Sequence, residues 1–253
     1  MKSIEKLRDA HKGKRIFVIG TGYSLDGFPE DFDDFFDDKI SCAIGAAFTA
    51  FPNCTYIVTG HIGWAVYILN EDPSLLKKCI FAWPLCQGRT RWRRPERLGK
   101  YGKYSFAFPR AWIGTNEKKF LSLLRPTIDA IVNRQAYKLP ALCGVVHRAM
   151  LVAFILGARE ITLIGCEGKD TNGRSHGEKR GLSDIYSEIY NKYPVTVAKR
   201  KIIQSKQRKG IKWLAEAFSY YDVKVSRCYY NECSDEINYE RITDENMCID
   251  QYL

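Results

Sequence analysis

The run Arg15-Ile16-Phe17-Val18-Ile19-Gly20 constrains the fold most: four apolar residues in succession, closed by glycine. Unbroken rather than alternating hydrophobicity asks for burial on both faces, the situation of a strand in a parallel sheet covered by helices. Similar short runs occur at 40–44, 56–59, 79–83, 160–165 and 223–228, each bounded by polar or Gly/Pro residues. The intervals between them are long enough for crossover helices, which predicts an α/β open sheet. The stretch 145–156 predicts a buried helix ended by Gly157, and 205–221 predicts a second, basic one leading into the last strand. The expected architecture is one α/β domain over 1–253 with a Rossmann-like, open, mainly parallel sheet. The less regular, Arg- and aromatic-rich part at 87–138 reads as an insertion or small subdomain.

Composition narrows the class further. A chain of 253 residues buries a core without covalent staples, so its nine cysteines need not be a disulfide framework. The charged first residues and the cysteines within apolar runs point to a reducing, cytoplasmic compartment. The longest apolar run, 149–156, is far short of the ~20 residues that span a bilayer. Thirty-nine Lys and Arg against 29 Asp and Glu give a net charge of +10, which makes polyanions the first suspected partners.

The turn after the first strand, Gly20-Thr21-Gly22-Tyr23-Ser24-Leu25, starts like a dinucleotide fingerprint. Glycines at a strand end let backbone amides approach a phosphate, so a ligand's phosphate is expected against this turn. Leu25 stands where a third glycine belongs, and the strand at 40–44 ends in Gly45 without the carboxylate that holds an adenosine ribose. NAD-type binding is thus disfavoured, and no Walker-type Gly-Lys-Ser/Thr sequence exists. Six acids between Glu30 and Asp38 are interleaved with Phe32, Phe35 and Phe36, as in a short amphipathic segment with a solvated acidic face rather than a cation site. Cys228, Cys233 and Cys248 lack zinc-site spacing and read as partly buried thiols; no metal site is expected.

Two stretches together resemble one known group. Gly20-Thr21-Gly22-Tyr23-Ser24-Leu25 is similar to the Gly-Asn-Gly-Pro-Ser-Leu element of bacterial lipooligosaccharide sialyltransferases and of the related motility-accessory-factor and hydroxymethylpterin-pyrophosphokinase-like domains. The stretch 153–167, with Leu156-Gly157-Ala158-Arg159-Glu160-Ile161 and then Gly165-Cys166-Glu167, resembles the same group's Leu-Gly-x-(Lys/Arg)-Glu-Ile helix-to-strand passage and its Gly-x-Asp. Thr21, Tyr23, Gly45 and Glu167 depart from the group's Asn, Pro, Asn and Asp, which leaves sugar and base open. The resemblance implies a GT-A-like sialyltransferase variant of the Rossmann sheet. It also implies a nucleotide donor lined by Gly20, Thr21, Gly22, Tyr23, Ser24, Gly45 and Glu167, and a lid histidine acting as general base.

The glycine-rich loop at 167–183 follows a strand and so belongs at the ligand edge as a mobile lid. It carries His176, the candidate base, with Asp170 as the nearby carboxylate. His61 ends the strand beginning at Tyr56 and reads as a further nucleotide contact, whereas His147 reads as a hydrogen-bonded core residue and His11 as a surface one. Arg89, Arg91, Arg93 and Arg94 in one cluster, and Lys199, Arg200 and Lys201 in another, are candidates for holding an anionic acceptor.

The expected activity is therefore transfer of a sugar from a nucleotide-sugar cosubstrate to a hydroxyl on an anionic acceptor. No tightly bound cofactor is expected. On charge alone, hydroxylated bases in viral DNA are preferred over envelope glycan. The alternatives are an ATP-dependent pyrophosphokinase acting on a small heterocycle, which needs Mg²⁺, and a non-catalytic nucleic-acid binder. Metal dependence of the transferase and its oligomeric state stay open at this level.

Overall fold

The computed structural model describes residues 1–87, 90–92, 103–111, 113–142, 144–166, 181–182, 184–185, 187–188, 200–231 and 236–242. The strands among them are β1 (Lys2–Ser3), β2 (Arg15–Ile19), β3 (Ile40–Ile44), β4 (Tyr56–His61), β5 (Cys79–Gln87), β6 (Thr90–Trp92), β7 (Phe106–Pro109), β8 (Glu160–Ile164), β9 (Lys224–Asn231) and β10 (Glu236–Arg241). They form one sheet in the order β1-β7-β5-β4-β3-β2-β8-β9-β10, with β6 paired to β5. Every pairing from β1 through β9 along that path is parallel; β10 on β9 and β6 on β5 are antiparallel. The α/β, Rossmann-like, mainly parallel architecture expected from the sequence is the one observed.

After the edge strand β1, the chain enters the interior of the sheet at β2 and steps outward through β3, β4 and β5 to β7. It then returns to the other side of β2 as β8 and continues to β9. Strand order thus reverses between β2 and β8, where Arg15 to Ile19 run in register beside Glu160 to Ile164. Ligands of open α/β sheets sit beyond the carboxyl ends of the strands at such a reversal.

Alternation along β2 feeds two cores. Ile16 and Val18 enter one beneath α3 (Glu117–Val132), α4 (Val146–Ile155) and α5 (Arg200–Ser219). Phe17 and Ile19 enter the other, beneath α1 (Ala47–Ala50), α2 (Ile62–Glu71) and 3₁₀ turns at Tyr23–Gly27 and Glu30–Phe36. In that second core Phe28, Phe32 and Phe36 are buried while Glu30, Asp31, Asp34, Asp37 and Asp38 stay exposed, as the acidic amphipathic segment requires.

The middle of the chain differs from its expected irregularity. β7 is a parallel member of the sheet beside β5, and α3 packs against α5, so 106–132 belongs to the body of the fold. Asn116 caps α3 by accepting from the Lys119 amide at 2.9 Å, and Phe120, Leu124, Thr127, Ile128 and Ile131 form its buried stripe. Among the described residues no helix is long and apolar enough to cross a membrane.

Candidate functional site

The two motif stretches, remote in sequence, are bonded neighbours at the reversal. Beyond the last β2–β8 pair, the Gly20 amide donates to the Ile164 carbonyl at 2.7 Å, and the Gly22 amide to the Gly165 carbonyl at 2.7 Å. A Cβ on Gly20 would lie 2.0 Å from the Gly165 oxygen, so only glycine admits this approach. Gly165 holds φ +60° and has Leu25 against it, which turns the chain out of the sheet. Cys166 follows, its thiol buried at 3.5 Å from the Val18 carbonyl.

This geometry revises the expected role of the glycines. Their amides are engaged by the neighbouring strand end and are not the donors that meet a phosphate. The glycines instead bring two strand exits together. Thr21 is buried at 7% exposure, and Gly22 leads into the 3₁₀ turn that holds Tyr23 and Ser24.

The next strand ends along the same edge are Gly45 and His61. Gly45 takes φ +59° directly after β3, and the residues behind it, Ala46 and Ala47, are small and fully buried. No carboxylate follows that strand, in keeping with the sequence reading. His61 closes β4 and caps α2: its Nδ1 accepts from the Gly63 amide at 3.1 Å. An accepting Nδ1 places the proton of the neutral ring on Nε2. Burial holds the imidazole below its ordinary pKa, so the neutral form prevails. His61 is thereby a hydrogen-bond donor at Nε2 and is unsuited to take a proton there.

Sequence reasoning missed Arg148. From the first turn of α4 its Nη1 reaches to 3.5 Å from where a Cβ on Gly60 would stand, which brings a guanidinium to the end of β4 next to His61. The signal was the pairing of a side-chain-free strand residue with an arginine opening a buried helix, legible only once the first turn of α4 is known to face the end of that strand.

The other histidines separate clearly. His147 is completely buried on α4, and its Nε2 lies 2.9 Å from the Gln207 carbonyl of α5. Burial pushes its pKa down to about 4. Gly210 makes room for the ring, since a Cβ there would stand 2.4 Å from Nε2. His11, expected at the surface, is instead half-buried with Nε2 2.9 Å from the Tyr56 hydroxyl. Cys42, Cys54, Cys79, Cys166 and Cys228 are buried free thiols.

Glu167, Asp170, His176, Arg89, Arg93, Arg94, Lys199, Cys233 and Cys248 lie outside the described residues, as does most of the expected lid. Arg91 falls in β6, and Arg200 and Lys201 open α5. Farther along α5 the basic cluster turns inward to α3: the Lys206 Nζ donates to the Thr115 carbonyl at 2.8 Å, and Lys206 and Lys209 pair with Glu117 at 3.5 and 3.4 Å. Part of what reads in sequence as a surface for polyanions therefore joins two helices.

No family model matches this chain, and no curated protein does. Among solved structures the chain is similar to the sialyltransferase CstII from Campylobacter jejuni, solved in complex with a substrate analogue, cytidine-5'-monophosphate. The identity is 13%, with 85% of this chain and 80% of that chain covered at a TM-score of 0.45.

Proposed function

We propose that this chain is a nucleotide-sugar-dependent glycosyltransferase that moves a sugar to a hydroxyl of an anionic acceptor. The observation that carries the reading is the meeting of the two motif stretches at the strand-order reversal, Gly20-Thr21-Gly22 bonded to Ile164-Gly165. In this reading the donor's nucleotide lies along the strand exits, over Thr21, Tyr23, Ser24 and Gly45, with Glu167 contacting it from the β8 side. Adjacent parallel strands are ~4.8 Å apart, so the edge from β8 to β4 measures roughly 14 Å, enough for a nucleoside phosphate. His61 donates from Nε2 to a donor oxygen, and the Arg148 guanidinium offsets negative charge at that end.

The chemical step is a displacement at the anomeric carbon. The acceptor hydroxyl oxygen forms the new bond to that carbon, the bond from the carbon to the donor's phosphate oxygen breaks, and the nucleotide leaves with the electron pair. The hydroxyl proton goes to His176, the proposed base, with Asp170 as the carboxylate that orients or replaces it. His61 is excluded as base by its tautomer. Arg89, Arg91, Arg93, Arg94, Lys199, Arg200 and Lys201 are proposed to position the acceptor. The preference for DNA as that acceptor rests on net charge alone, and the inward pairing of Lys206 and Lys209 takes some of that charge away from it.

The test is a thermal-shift panel of cytidine, uridine, guanosine and adenosine phosphates and nucleotide sugars, followed by donor hydrolysis with and without EDTA. A true donor at a hundred times its Kd raises the melting temperature by roughly 5–10 °C. His176→Ala then lowers turnover of that donor by about 10²-fold or more without lowering the melting temperature. A protein that no nucleotide stabilises overturns the reading, and unchanged turnover in the variant removes His176 from the mechanism.

A further inference from the structure

The outer layer formed by α3 and α5 concentrates charge that the sequence scatters. The two helices pack side by side and carry nine Lys and Arg against three Asp and Glu, a net +6 out of the chain's +10. All three acids are already engaged: Glu117 by Lys206 and Lys209, Asp129 by the Tyr221 hydroxyl, and Glu216 by Lys212. The solvent stripe of α3, read at 100° per residue, aligns Lys118, Leu121, Ser122, Arg125, Asp129 and Val132 on one side, and all but the half-buried Asp129 are exposed. Leu121 and Val132 are 44% and 47% exposed. Tyr220, just past α5 and 76% exposed, lies under the Arg125 guanidinium at 5.6 Å from its ring centroid. Three large apolar or aromatic side chains thus stand in water on the face that carries Lys118 and Arg125.

We infer that this α3/α5 face is a docking surface for an anionic lipid bilayer. Charge complementarity brings the face to acidic headgroups, and Leu121, Tyr220 and Val132 enter the headgroup boundary while Lys118 and Arg125 stay at phosphate level. A surface for nucleic acid has use for flat rings that stack on bases and little for exposed Leu and Val in the same stripe, so the apolar members decide between the two polyanions. The contact is peripheral, with no helix inserted across the membrane. It does not depend on the activity proposed above.

Sedimentation of the full chain with vesicles tests this. In 0.1 M salt the protein pellets with vesicles of phosphatidylcholine and phosphatidylserine at 70:30 and stays in solution with pure phosphatidylcholine. Lys118→Glu combined with Arg125→Glu weakens binding at least tenfold, and raising salt to 0.5 M does the same to the wild type. Leu121→Gln weakens it about threefold at either salt, which separates lipid insertion from pure charge attraction. Circular dichroism melting establishes that the variants are folded; if the double variant is not, Lys118→Gln, a fully surface change, replaces it with an expected loss of about threefold. Failure to pellet, equal pelleting with neutral vesicles, or an unaltered Lys118/Arg125 variant overturns the proposal. So does binding of a 20-base-pair duplex in place of vesicles, which would reassign the face to nucleic acid.

Discussion

The two faces of the sheet solve the same covering problem differently. One is covered by the long helices α3, α4 and α5, whose aliphatic stripes interlock with β-branched strand residues. The other is covered by helical pieces of four to ten residues, and aromatic rings fill the space. Phe17, Phe32, Phe35, Phe36 and Phe51 form a chain of edge-to-face and stacked contacts with centroids 5.1–6.5 Å apart. Where the backbone offers little regular structure, large rigid side chains supply buried area. Regularity carries one side and bulk the other.

That contrast breaks most easily at Phe36. Truncation to alanine empties the centre of the ring cluster and costs about 3–5 kcal/mol in chemical denaturation. Phe154→Ala on the helical face, where the ring is only half-buried against Phe218, costs distinctly less. Equal losses would mean that the two faces are built alike.

Acid sharpens the comparison from the other direction, because His147 sits in the helical face alone. Its imidazole is neutral when folded, down to about pH 4, whereas in the unfolded chain it binds a proton near 6.5. Between those values the unfolded state holds more protons. The stability that neutral burial carries is therefore complete above about pH 6.5 and falls as pH drops toward 4, by roughly 3 kcal/mol in all. His147→Gln removes that component of the pH slope, measured as the difference between the two stability profiles. Parallel profiles would show that the ring titrates freely.

The smallest effects lie at the rim of the helical face. Asn116→Ala deletes the α3 cap and lowers stability by about 1 kcal/mol. Glu117→Gln, which unties Lys206 and Lys209, changes it by no more than ~1 kcal/mol, and less in high salt, since these pairs are partly solvated.

The same contrast explains what was legible in the sequence. β3 was read to the residue and β2 to within one, because central parallel strands are uninterrupted apolar runs. α4 was read because a helix buried all round leaves a long apolar block. α3 was not, although Phe120, Leu124, Ile128 and Ile131 recur at helical spacing, because Pro126 and a dense scatter of charge obscured the period. β7, only four residues and ending in proline, is held by its neighbours rather than by its own pattern. On the aromatic face the acid-and-Phe run announced its amphipathicity but not its 3₁₀ geometry. At the candidate site, the places of Gly20, Gly22, Gly45 and His61 at strand ends are legible from the sequence. The engagement of the glycine amides, the donor tautomer of His61 and the nearness of Arg148 all depend on chain segments that meet only after folding.

The placement of β8 beside β2 has a consequence for synthesis. The interior strand β2 is complete by residue 19, yet one of its flanks waits for a partner that begins at residue 160. At ~5–20 residues per second that interval lasts roughly seven to thirty seconds, during which a strand destined for the interior of the sheet presents bare peptide groups to the ribosome's surroundings. Nascent chains halted before Gly165 should thus be the most adhesive intermediates of this protein, and release from that state comes in one step, when the second exit reaches the first.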